Sequence, residues 1–148
     1  ARLALSGQVA VADAARPDDA GDGRPFDRIL LHAPCSATGV LRRHPDVRWL
    51  RRASDIATNA GVQDAILDAL WTTLKPGGLL VYVTCSILHE ENRDRGRKFL
   101  ERQSDAEPVA FELPESRAVD PGRQILPGSL DRDGFYYLVL RRVPPDRA

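Results

Sequence analysis

Methionine is absent from the 148 residues, lysine occurs only at Lys75 and Lys98, and cysteine only at Cys35 and Cys85. Two thiols are too few for the disulfide framework on which small secreted domains depend, so each needs its own explanation. No apolar run approaches the roughly 18 residues of a membrane span. The first residues lack the basic, apolar and small-residue order of a secretory signal, so a cytoplasmic setting is expected. No repeat or low-complexity tract is present. Hydrophobic residues at 43% and charged residues at 28% are ordinary globular proportions, which argues against a wholly disordered, collagen-like or coiled-coil chain.

The length suits one domain that buries its own core without metal or disulfides. We expect that domain over residues 1–143, followed by a disordered tail at 144–148. Because the chain opens on Ala1 without methionine, it also reads as a portion of a longer protein. The 21 basic and 21 acidic side chains cancel, so the molecule as a whole has no general attraction to nucleic acid or acidic membranes. Subtracting the two lysines from the 21 basic residues leaves 19 arginines. That bias suits phosphate recognition, and GC-rich coding accounts for it equally well.

Gln8 to Ala12 (QVAVA) has the composition of a strand ending at Asp13, and the Pro-, Gly- and Asp-rich stretch from Arg16 to Pro25 reads as a loop. Phe26 to Ala33 predicts a second strand whose Ile29, Leu30 and Leu31 run suits burial on both faces of a parallel sheet. Ser54 is a candidate cap for a helix in which Ile56, Ala60, Ile66, Leu67, Leu70 and Leu74 follow a 3.6-residue stripe. Lys75 to Gly78 (KPGG) should end it. Leu79 to Val83 reads as a buried strand, His89 to Arg102 as a polar helix anchored by Phe99 and Leu100, and Val109 to Leu113 and Phe135 to Val143 as closing strands. The pattern predicts an α/β sheet.

Ligands of open α/β sheets bind at the carboxyl ends of strands. Cys35 follows the strand ending near Ala33 and Cys85 the strand ending near Val83, and one helical crossover joins the two strands. The thiols should therefore be neighbours in space. A His32 and Cys35 metal site would have two ligands and no second pair, so none is expected. Arg42, Arg43, Arg48, Arg51 and Arg52 against Asp46 amount to 5 − 1 = +4 beside the Cys35 turn, leaving about −4 for the rest of a neutral chain. Such a patch could meet RNA phosphates or simply be a solvated segment. Trp49 could stack on a base or pack on the sheet edge, whereas Trp71 on the apolar helix should be core.

The segments FDRILLHAPCSATGVLRRHPDVRW, LKPGGLLVYVTCSILHEEN and GRQILPGSLDRDGFYYLVL, in this order, resemble motifs of the RNA cytosine-C5 methyltransferases of the Fmu/Sun type. The resemblance runs from about Val9 to Arg142. It implies a Rossmann-like class I methyltransferase fold, here truncated on the N-terminal side, without the first two strands and the Gly-rich cofactor loop. Inner strand edges would then lack partners, and self-association through the exposed edge is expected.

The resemblance further implies S-adenosylmethionine as methyl donor and RNA, small-subunit ribosomal RNA in particular, as substrate. Cys85 is then the nucleophile that adds to cytosine C6, and Cys35 assists release of the methylated product. Asp13, His32 and Pro34 fall at cofactor-contacting positions of the family, Asp13 near the adenine. Cytosine C5 is too poor a nucleophile to accept a methyl group directly, and thiolate addition at C6 makes it enamine-like. The family has Asp where this chain has His32, so impaired activity is expected. Glu90, Glu91 and Asn92 could orient the site or merely favour a helix start. Ser36, Thr38 and Gly39 should shape the Cys35 turn. A non-catalytic RNA-binding remnant of the same fold is the alternative. A thiol redox protein is a weaker one, since no Cys-x-x-Cys pair is present.

Overall fold

A computed structural model describes residues 7, 9–17 and 23–144. The expected tail beyond Pro144, Gln8 at the head of the first expected strand, and Gly21 in the loop lie outside the described residues. The elements are β1 (Phe26–His32), α1 (Val47–Leu50), α2 (Ala53–Thr72), β2 (Leu74–Thr84), α3 (Arg93–Arg102), β3 (Ala106–Pro108), β4 (Arg117–Ala118), β5 (Arg123–Ile125) and β6 (Phe135–Arg142). Short 3-10 turns occupy Thr38–Val40, His89–Glu91 and Ser129–Asp131.

The sheet runs β1-β2-β6-β5-β4, with β3 also paired to β6. β1 and β2 are parallel and joined through α2, while β2 and β6 are antiparallel. Alternation in β2 and β6 sends Leu80, Tyr82, Tyr136, Leu138 and Leu140 to one face, where Ile66, Leu67 and Trp71 of α2 and Phe99 of α3 cover them. Trp71 and Phe99 meet edge to face at 5.1 Å between ring centroids. The indole N–H of Trp71 is satisfied by Asp105 at 2.8 Å. Burying these large side chains supplies the main driving force, at roughly 25 cal/mol per Å² of apolar area.

The parallel β1–β2 pair with α2 as crossover is as expected, the sheet as a whole is mixed, and several local expectations need correction. Val9 to Ala12 forms no strand, and Val9 and Val11 are fully exposed. A strand needs another strand's N–H and C=O groups, and no described residue pairs with this segment. In β1 only Leu31 is buried, and Leu30 on the other face is 73% exposed. The described helices cover one face of the sheet, so the apolar run is not buried on both.

Helix α2 starts at Ala53 rather than after a Ser54 cap, because the Asp55 carboxylate accepts the Arg52 N–H at 2.9 Å. Residues Lys75 to Gly78 open β2 instead of ending the helix, and the register with β1 jumps there, from Phe26↔Leu74 to Arg28↔Leu79. Gly77, at φ +79°, takes up the irregularity in a conformation that suits glycine. The helix expected over 89–102 breaks at Asn92 (φ −116°, ψ −105°), and only 93–102 is α-helical. Residues 109–113 are not a strand. The free edge of β6 is met instead by Ala106–Pro108, whose last registered pair is Pro108↔Leu140.

Candidate active site

The carboxyl ends of β1 and β2 lie side by side, with His32 in register with Val83. The chain leaves β1 through Ala33, whose N–H donates to Val83 O at 2.9 Å. It leaves β2 through Thr84, Cys85 and Ser86. Gly39 then seals the two turns together, its N–H donating to Cys85 O at 2.8 Å. A Cβ at Gly39 would stand 2.2 Å from Gly134 O and 2.7 Å from Cys85 O, so the close approach admits no side chain. Thr38 Oγ1 accepts the Ile87 N–H at 3.1 Å, tying the Cys35 turn to the residues after Cys85.

This brings the Cys35 and Cys85 sulfurs to 3.5 Å, with both thiols free and half-buried. The pair is electrostatically asymmetric. The Cys35 thiol donating to Cys85 lowers the Cys85 pKa to about 6, against the opposing effect of burial, and His32 lowers it further by hydrogen bonding and charge. Cys35 is pushed far up, first by its hydrogen bond with Cys85 and then by burial. The coupling therefore favours Cys85 as the thiol that loses its proton and Cys35 as the one that keeps it. The His32 ring, at the mouth of the site, lies 6.2 Å from that of Phe135.

Buried polar groups lock the turns from behind. Glu91, fully buried, accepts from the Ser36 N–H at 2.8 Å, the Ser36 hydroxyl at 2.6 Å and the Asn59 amide at 3.1 Å. Gln63 donates to Pro34 O at 2.8 Å, holding the chain on the other side of Cys35. Asn92 accepts from the Thr84 hydroxyl and donates to Ser86 O and Gln124 Oε1. Glu90 is exposed. Asn59, Gln63 and Gln124 were not visible as site residues in the sequence. Gln63 carries a signal nonetheless, since a fully buried amide three residues after Ala60 and four before Leu67 interrupts an apolar stripe.

Arg42, Arg43, Arg48, Arg51 and Arg52 are all exposed beside the Cys35 turn, but they are not equally available. Arg42 pairs with Asp131, Arg43 with the buried Asp133 at 2.6 Å, and Arg51 donates to Ser36 O at 3.0 Å. Arg51 also lines a cleft with Cys35, Asp55, Thr58 and Asn59. Trp49 is 81% exposed, so it does not pack on the sheet edge, whereas Trp71 is core.

The other expected cofactor-contacting position stands apart. Asp13 accepts the Ala15 N–H at 2.9 Å and lines a cavity with Phe26, Leu70 and Thr73, at the opposite end of β1 from His32 and Pro34. Asp13 therefore does not converge with His32 and Pro34 among the described residues. No group of three or more metal-ligating side chains occurs among the described residues, and none of their helices is long and apolar enough to cross a membrane.

Among curated proteins, the chain is 57% identical over 141 residues to ribosomal RNA small subunit methyltransferase B of Vibrio cholerae, covering 95% of this chain and 31% of that protein. Against the same enzyme of Vibrio vulnificus it is 55% identical over 94% of this chain and 32% of the relative. The chain therefore spans about a third of the length of these relatives. Among solved structures, NSun6 from Pyrococcus horikoshii with SFG superposes with a TM-score of 0.76 at 30% identity, over 93% of this chain and 35% of that one. A methyltransferase homologue from the same organism gives 0.68 at 30% identity, over 81% of this chain and 40% of that one. The family model for 16S rRNA methyltransferase RsmB/F matches residues 1–141. With two thiols at paired strand ends and a match over almost its whole length, this chain belongs to the RsmB/F methyltransferase family.

Proposed function

We propose that the chain is the thiol-bearing catalytic portion of an S-adenosylmethionine-dependent ribosomal RNA cytosine-C5 methyltransferase, with Cys85 as nucleophile and Cys35 as the thiol that assists release. The observation that carries this reading is the 3.5 Å sulfur pair with its lowered Cys85 pKa. A thiolate, not a thiol, adds to C6. Cys85 holds that form near neutral pH, while Cys35 retains its proton beside it. The Cys85 electron pair forms the S–C6 bond, making C5 nucleophilic, and after the C5 proton is lost the same sulfur leaves by elimination.

The methyl group is supplied by S-adenosylmethionine, which we assign to a cradle completed by the remaining two thirds of a full-length enzyme. The chain alone is accordingly inactive. His32 supports the Cys85 thiolate but cannot replace the carboxylate that the family places at this position, which leaves the enzyme impaired. The target must be unstacked to expose C5 and C6 to sulfur, which favours an unpaired loop of RNA.

Trapping tests the assignment. A full-length enzyme carrying this sequence, incubated with cofactor and RNA containing 5-fluorocytosine, should form a stable adduct on Cys85, because the fluorine at C5 cannot leave as a proton does. An adduct on Cys35 instead, or none with either thiol, overturns it.

The exposed Trp49, flanked by Arg48 and Arg52 with no acidic partner for their guanidinium groups among the described residues, favours a second reading. In it the chain is a non-catalytic RNA-binding remnant of the same fold. RNA binding without methyl transfer in the full-length enzyme would select it.

A further inference from the structure

Two consecutive residues reach two different turns. The Glu91 carboxylate takes hydrogen bonds from the N–H and hydroxyl of Ser36, the residue after Cys35. Asn92 accepts from the Thr84 hydroxyl at 2.5 Å and donates to Ser86 O at 2.9 Å, gripping the residues on either side of Cys85. The backbone at Asn92 (φ −116°, ψ −105°) lies outside the helical region, and this break lets adjacent side chains serve separate turns. Their own placement is fixed from the core, because the Tyr82 hydroxyl donates to Glu91 O at 2.6 Å and Arg95 Nε donates to Glu90 O at 2.8 Å. Between the turns, Ser36 Oγ and Ser86 Oγ stand 3.4 Å apart.

A fully buried carboxylate is a costly means of holding a loop. Apolar packing of similar volume often does so at no loss of stability. Its three hydrogen bonds do what packing cannot, which is to fix the direction of the Ser36 backbone and so the position of Cys35. We propose that Glu91 and Asn92 are positioning residues that together set the gap between the Cys35 and Cys85 sulfurs, Glu91 through the first turn and Asn92 through the second. The importance of that gap to methyl transfer rests on the function proposed above, but the gap itself does not.

Phenylarsine oxide measures the gap without catalysis. It condenses with two adjacent thiols, forming two As–S bonds and releasing one water, and an isolated thiol does not hold it. In the unmodified chain one equivalent should protect both cysteines from iodoacetamide. The groups that face Cys85 are Cys35 and His32, and alkylation of Cys85 below its pKa reads the Cys35 hydrogen bond directly. Glu91→Ala, with folding checked by the near-ultraviolet signal of the buried Trp71, should slow arsenical capture. It should also lower alkylation at about pH 5 by about tenfold, the effect of one pKa unit.

Asn92→Ala should act alike from the other side, and the isosteric Glu91→Gln should fall between. Folded Glu91→Ala protein with unchanged capture and unchanged alkylation overturns the proposal. If the Glu91 variants do not fold, Ser36→Ala removes the hydroxyl's 2.6 Å bond to Glu91 together with its 3.4 Å contacts to Thr38 and Ser86, and unchanged capture in that variant overturns it equally. Absence of a 5-fluorocytosine adduct on Cys85 would remove the functional reading and leave these thiol measurements as they stand.

Discussion

The sulfur of Cys35 stands 3.5 Å from that of Cys85, across 50 residues of chain, and this contact lowers the Cys85 pKa while raising that of Cys35. Cys35→Ala removes the donor and leaves the Cys85 thiolate with His32 alone, so the Cys85 pKa should rise above about 6. Thiolate appears as pH rises through the pKa, so the variant should react more slowly than the unmodified chain at every pH below its own midpoint. Thiolate absorbance in the ultraviolet and alkylation against pH both read this. Coincident midpoints would show that Cys35 is not the donor.

His32→Asp separates two effects. Losing the imidazole and gaining a carboxylate beside Cys85 should raise the Cys85 midpoint, since a like charge disfavours the thiolate. In a full-length enzyme the same change should nevertheless increase methyl transfer, because it restores the carboxylate of the family motif. No gain over the His32 form would mean that His32 is a working residue.

Among the described residues β1 pairs only with β2, and its outer edge and Leu30 are open. Unpaired edges recruit other chains. The 148-residue chain should therefore associate at micromolar concentration, and Leu30→Lys should shift it toward monomer in sedimentation equilibrium. Val62→Lys, on the exposed side of α2, should leave the distribution unchanged. A monomer in the unmodified chain at about 100 μM, well inside the range in which exposed edges pair, refutes this.

Two glycine substitutions should have opposite signs. Gly39→Ala forces a Cβ against Gly134 O and Cys85 O and should cost about 1–3 kcal/mol in urea unfolding, the usual penalty of overpacking. Gly61→Ala, inside α2 with nothing within 4 Å of the added Cβ, should stabilise by about 0.4–1 kcal/mol. Equal effects would mean that the two turns can separate without cost.

Phe99 is fully buried against Trp71, with the Arg102 guanidinium 5.1 Å from its ring centre. Phe99→Ala should cost about 3–5 kcal/mol by removing both the buried area and the ring contact. A cost below about 1 kcal/mol would place α3 outside the cooperative core, since core aromatics do not come out so cheaply.

Strand β1, helix α2, the core of β2 and strand β6 could be read from the pattern, because runs such as Leu79–Val83 and the stripe of Ala60, Ile66 and Leu67 are local properties. The meeting of Cys35 and Cys85 was legible too, from strand ends joined by one crossover. What could not be read depended on neighbours. Val9 to Ala12 has strand composition and no strand to pair with among the described residues, and Leu30 has core composition on a face no described helix covers. The KPGG segment looks like a helix stop and forms the irregular start of β2.

Residue type and order alone settled the reactive groups available and the turns that carry them, since those turns follow directly from strand ends marked by Pro34 and Thr84. Which thiol has its pKa lowered, which arginines are already paired and which carboxylate grips the Cys35 turn were decided by folding. Each is a contact between residues far apart in the chain, such as Glu91 with Ser36 at 55 positions or Arg43 with Asp133. Coulomb and hydrogen-bond energies fall off over a few ångströms, so they are decided by distances in space that no spacing along the chain encodes.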